Sequence, residues 1–163
     1  MAIKMISIKL PHLLVVEGAE DKMVFSALLR HLRLADEIQT EGIGGKTQLA
    51  DQLKALVKTP GFAGAKTLVI ARDADANPDA AFQSVQSALR AAGLSVPEKP
   101  LSFAGANPRT AVVLLPGGNA PGMLEDLCLR SVEQDPAMPC VHDFFDCLLY
   151  TSDAADDLLC VDL

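Results

Sequence analysis

The chain has 163 residues, with 14 Lys and Arg against 21 Asp and Glu, for a formal net charge of −7. Half of the residues are apolar and 21% are charged, which excludes a disordered polar chain. The length suits one domain burying about 70% of its unfolded surface, and the negative charge argues against a basic nucleic-acid coat protein. The charge is unevenly placed. All 14 basic residues lie in 1–130 beside 13 acids, whereas 131–163 holds eight acids and neither Lys nor Arg.

Lys4, Lys9, Pro11 and His12 interrupt the first apolar stretch, so nothing approaches the ~20 residues that cross a bilayer, and no clean signal segment is present. Cys128, Cys140, Cys147 and Cys160 contain no C-x-x-C pair, which removes support for a zinc or thioredoxin-like site. The expectation is a cytoplasmic protein with reduced thiols and no membrane partner, with two disulfides as the alternative.

In chain order, His12–Glu17 is a short apolar run that predicts a buried strand. Ala19–Leu34 carries Val24, Phe25, Leu28, Leu29 and Leu32 at helical spacing. Ile38–Gly45 predicts a strand passing into a Gly-rich turn. Lys46–Lys58 is helical, with Leu49, Leu53, Leu56 and Val57 on one face, and Pro60-Gly61 stops it. Thr67–Ala71 is the clearest strand and runs into Arg72-Asp73-Ala74-Asp75. Pro78–Ala92 is a helix opened by Pro and closed by Gly93. Thr110–Leu115 is a strand ending at Pro116-Gly117-Gly118, and Gly122–Val132 is a further helix. Continuous apolar strands alternating with amphipathic helices predict an α/β fold, a mostly parallel, Rossmann-like sheet with helices on both faces. Ligands of such folds sit beyond the carboxyl ends of the strands. Here those ends carry Glu17-Gly18, Asp73-x-Asp75 and Gly117-Gly118-Asn119.

Asp73 and Asp75 stand two apart, so in extended backbone their carboxylates point the same way. Held together they repel, unless a hard cation such as Mg²⁺ neutralises them. If the first and third strands are neighbours, Glu17 reaches the same rim as a general acid/base or further ligand. A D-x-D alone also marks a solvated strand-to-helix loop. Rival motifs fail on position. An EF-hand loop opening at Asp73 would have Pro78 where Gly is needed and Ser84 where Glu is needed. A P-loop ending at Gly45-Lys46-Thr47 would have Thr40 in place of its leading Gly. A phosphatase-type D-x-D belongs after the first strand.

Over about residues 10–132 the chain resembles the Toprim (topoisomerase–primase) domain, whose pattern is Glu after strand one, Gly after strand two and D-x-D after strand three. Here these are Leu13-Leu14-Val15-Val16-Glu17-Gly18, Gly42 or Gly44, and Val69-Ile70-Ala71-Arg72-Asp73-Ala74-Asp75. It is similar in particular to a bacterial Toprim-like family of unknown function. That family shares V-E-G-x-x-D (Val16–Asp21), D-A-D, and P-G-M-L-E-D (Pro121–Asp126). The resemblance implies Glu17 as general acid/base with Lys46 beside it in the catalytic set. It implies Asp73 and Asp75 as ligands of Mg²⁺ or Mn²⁺. Glu125 and Asp126 would complete a second metal site, as an acidic pair does in nucleases of the overcoming-lysogenization-defect family. Gly18, Gly44, Gly45 and Arg72 would contact phosphate or nucleic acid. Glu125 and Asp126 read equally well as acids favoured by a helix N-terminus, and Lys46 as an exposed first-turn lysine.

The one Tyr, Tyr150, lies in the tail, and the primase zinc region is absent, so the expected function is a stand-alone metal-dependent nuclease acting on DNA or RNA. The alternative is a non-catalytic metal- or nucleic-acid-binding module, or a subunit partnered with an ATPase in a defence-type system. A homo-oligomer is a further expectation.

Cys147–Asp157 reads C-L-L-Y-T-S-D-A-A-D-D, and its first ten residues match the translation of a transposon-end sequencing adapter. The expected organisation is a Toprim-like domain over 1–132, a truncated extension over 133–146 and a non-native tail over 147–163. Without that tail the count becomes 14 bases against 17 acids, so most of the −7 belongs to it.

Overall fold

The computed structural model describes residues 7–45 and 48–157, with side chains through Leu148. Four strands, β1 (His12–Val16), β2 (Ile38–Gly42), β3 (Thr67–Asp73) and β4 (Arg109–Leu115), alternate with helices α1 (Ala19–His31), α2 (Leu49–Leu56), α3 (Pro78–Ala91) and α4 (Leu124–Val132). Helix α5 (Met138–Asp157) follows, and a short 3₁₀ turn at Phe62–Gly64 leads into β3. Every pairing is parallel and the order is β2-β1-β3-β4. The fold is therefore α/β and Rossmann-like. Strands β1 and β3 are neighbours, the condition for Glu17 and Asp73 to share a rim.

Alternate strand residues share a face. Leu13, Val15, Leu68, Ile70, Val112 and Leu114 form one cluster with Leu53 and Leu56 of α2 and Val85 and Leu89 of α3. The intervening Val16, Ala71, Ala111 and Leu115 are buried too. Leu14, Val69 and Val113 on that second face are half-buried, so it is covered less completely than the first, and apolar residues on both faces make these strands read as unbroken runs.

Local chemistry sets the helix bounds. Asn77 Oδ1 accepts the Ala80 N–H at 3.0 Å while Pro78 occupies the first helical position, so α3 starts where expected. Helix α1 stops three residues before the expected Leu34, because Arg33 turns into the left-handed region at φ 61°. Lys46 and Thr47 lie outside the described residues, and α2 is described from Leu49.

The chain divides into two compact units, Met1–Leu127 and Cys128–Leu163. The division falls inside α4 rather than after it. Leu124 is buried, whereas Leu127 to Val132 are exposed. Among the described residues no helix is long and apolar enough to cross a membrane. Cys128, Cys140 and Cys147 are free and exposed, and Cys160 lies outside the described residues.

Candidate functional site

The carboxyl end of β1 is built around small residues. Gly18 caps α1, and its N–H donates to Asp21 Oδ2 at 2.6 Å. A Cβ on Gly42 would lie 2.9 Å from the Gly18 carbonyl oxygen, so the end of β2 packs directly on the β1–α1 turn. Gly45, at φ 104°, donates its N–H to the Glu17 carbonyl at 3.0 Å, and Ile43 donates to Val16 at 3.1 Å. Three chain segments therefore fix the backbone that carries Glu17.

Register explains what faces Glu17. Val15 pairs with Ile70, so two residues on, Glu17 stands level with Arg72. Arg72 is 8% exposed; Nη1 donates to Ser84 Oγ of α3 at 2.9 Å, and Nε lies 3.9 Å from Glu17 Oε2. A guanidinium this deep needs a counter-charge, and Glu17 supplies it. The space left beside the pair is about 10 Å³, at the limit of what one water occupies. Arg72 accordingly faces inward, not towards solvent where a phosphate would meet it.

Asp73 points to the other face of β3. Its Oδ1 accepts the N–H of Leu124, the first residue of α4, at 3.0 Å. Burial pushes its carboxyl up from the ordinary 3.8 to about 6. The Leu124 hydrogen bond works against that rise, and the charges of Asp21, Glu17 and Glu125 add to it. The charges of three carboxylates, from the residue after β1 and the first turns of α1 and α4, thus reach Asp73 at the end of β3.

Asp75 departs from expectation. Strand β3 ends at Asp73, and Asp75 sits at φ 51°, so the alternation that was to align the two carboxylates does not extend to it. Its carbonyl accepts the Gly122 N–H at 2.7 Å, tying the β3 loop to the start of α4. Asp126 Oδ2 accepts the Met123 N–H at 2.8 Å, which caps the helix, and a Cβ on Gly122 would lie 2.5 Å from that oxygen.

Of the expected set, Glu17 and Glu125 lie near enough for their charges to reach Asp73, as does Asp21, the last residue of V-E-G-x-x-D. Gly18 and Gly45 have their N–H groups engaged within the protein; Gly44 is exposed at φ 77°; Lys46 lies outside the described residues. Among the described residues no three His, Cys, Asp or Glu side chains converge as a ready-made metal cage. Mg²⁺ takes one or two carboxylates and keeps several waters, so the residues that could hold one here are Asp73 and Glu125. A roomy concavity of about 730 Å³ lies elsewhere, along α1 and β2. The rim is therefore singled out by its charge and not by enclosure.

The sequence model of one family, described as Protein of unknown function (DUF3226), matches residues 11–152. That is most of the chain, and the chain belongs to this family. No curated protein matches it.

Proposed function

We propose that this member of DUF3226 is a cytoplasmic, Toprim-like, Mg²⁺-dependent phosphodiester-processing protein, a nuclease acting on DNA or RNA. The observation that carries the reading is the carboxylate rim at the carboxyl ends of a parallel sheet, where Asp73 is raised to about 6, first by burial and then by the charges of Asp21, Glu17 and Glu125. Asp73 would hold the cation, with Glu125 of α4 as the second carboxylate in reach; the left-handed turn at Asp75 removes it from that pair. A bound Mg²⁺ supplies charge neutralisation at phosphate oxygens and acidifies a water. Glu17 serves as the general base that takes the proton of the attacking water. Arg72 positions Glu17 from below, and its hydrogen bond to Ser84 keeps the guanidinium from reaching the substrate itself.

The test is incubation of the protein with plasmid, linear DNA and RNA in Mg²⁺ or Mn²⁺. Cleavage abolished by Asp73→Asn and by Glu17→Gln supports the assignment. Cleavage that persists in both variants overturns it. The second reading is a non-catalytic metal- or nucleic-acid-binding module. It is favoured by the placing of Glu17 Oε2 against the buried Arg72, at 3.9 Å, which turns the would-be base towards the interior. It requires calorimetric Mg²⁺ binding that is lost on Asp73→Ala, with no turnover of any nucleic acid.

A further inference from the structure

A groove of about 730 Å³ runs between α1 and the edge strand β2. Its direction follows from the topology. One end lies at Lys9, Arg30 and Asp36, where β1 and β2 begin and α1 ends; the other reaches Lys22 and Ala19, next to Gly18 on the carboxylate rim. Ala19 to Arg30 is roughly 16 Å of helix, the reach of a few nucleotides. Met23 and Ile38 add apolar wall along the way.

The charge of the groove is opposite to that of the rim. Lys9 and Arg30 are both exposed and outweigh Asp36. Lys22 is shared with Glu41 of β2 at 2.8 Å, so the end near the rim is the less cationic. A track that is cationic away from the carboxylates and reaches the rim at Ala19 suits a polyanion whose backbone is drawn along β2; with no aromatic side chain in the lining, it is the phosphates and not the bases that it would hold. Lys9 and Arg30 stand at one end of a track lined by one helix and one edge strand, an arrangement that offers a single line of phosphate contacts and so suits a single strand better than a duplex.

We infer that the α1–β2 groove binds a short single-stranded segment of nucleic acid, with phosphates on Lys9 and Arg30, and leads it to the rim. The inference rests on the nuclease reading for its direction, but its test does not depend on turnover. Lys9 and Arg30 are surface residues, so Lys9→Gln and Arg30→Gln leave the core intact. Binding of a fluorescent mixed-sequence single-stranded DNA 12-mer, its duplex and the same sequence in RNA is followed by anisotropy in chelator, across salt. The single strands should bind more tightly than the duplex. Each substitution should weaken single-strand binding and reduce the salt slope by about 0.7, or about 1.4 for the pair. Unchanged affinity and slope in the double variant would overturn the inference, as would failure of the wild type to bind single strands at low salt, or preference for a poly-glutamate peptide. The two readings fail separately. Groove-dependent binding without any cleavage sinks the nuclease and leaves the groove; cleavage that ignores Lys9 and Arg30 does the reverse.

Discussion

The unit Met1–Leu127 and the unit Cys128–Leu163 handle apolar side chains in opposite ways. In the first, Leu53 is 0% exposed and packs in one cluster with strand residues such as Leu68 and Val112. In the second, Phe144 is 60% and Phe145 58% exposed, although their rings meet edge to face at 5.8 Å. The charge differs in the same sense: residues 1–130 are nearly balanced, and 131–163 are wholly acidic among charged groups. A parallel sheet supplies two apolar faces that amphipathic helices must cover, whereas a helix without such a sheet leaves its apolar residues in water. The chain's stability should therefore reside in its first unit.

The largest effect expected is at the centre of that unit. Leu53→Ala leaves a cavity where α2 meets the sheet and should cost about 2–5 kcal/mol. Urea unfolding would show a lower midpoint at unchanged slope. A cost no larger than that of a substitution at Phe144 would break the comparison.

Close backbone approach is the next term. At Gly42 a Cβ would meet the Gly18 carbonyl at 2.9 Å, so Gly42→Ala must displace the turn that carries Glu17, at about 1–3 kcal/mol. Gly64 is the control, because nothing lies within 4 Å of a Cβ there. Equal costs at the two glycines would remove the close approach as the cause.

These two sites also show how far the sequence could be read. Strands and helices were legible because burial on both sheet faces forces unbroken apolar runs, and because Asn77-Pro78 is a start signal in itself. The α/β class followed from that order. What was not legible depended on single backbone angles and on pairing depth. The left-handed turn at Asp75 breaks the alignment expected of D-x-D, and Arg33 ends α1 early. Arg72 looked like a phosphate contact, yet its register opposite Glu17 and its hydrogen bond to Ser84 turn it inward. Asp21 was visible as a motif residue, but its action on Asp73 arises only when the pairing of β1 with β3 brings the start of α1 near the end of β3.

A smaller effect distinguishes the rim from the core beneath it. The folded value of Asp73, about 6, lies above the ordinary 3.8, so the folded chain holds this proton more tightly than the unfolded chain does. Its contribution to stability is therefore fully present below about 3.8 and is lost as the pH rises through about 6. Asp73→Asn keeps an oxygen for the Leu124 N–H and removes the charge. It should be the more stable protein at pH 7.5 by about 1 kcal/mol, once solvent screening of this half-exposed group is allowed for. That is about 2–4 °C in Tm. The gap should close as the pH falls from 6 to 4, and Mg²⁺ should narrow it at pH 7.5 by stabilising the wild type alone. A gap independent of pH would mean that Asp73 is not under charge pressure in the folded chain.

The smallest effect belongs to the second unit, and it tests the comparison most directly. Phe144 and Phe145 are more than half exposed and touch each other edge to face, so replacing either by Ser removes much less buried area than Leu53→Ala does. Phe144→Ser and Phe145→Ser should each change unfolding free energy by less than about 0.5 kcal/mol. Both should lower light scattering at high protein concentration, because exposed aromatic surface promotes association. A loss of more than about 1 kcal/mol in dilute solution would show instead that the rings are covered there. The acidic unit would then carry stability of its own, and burial could no longer separate the two halves of the chain.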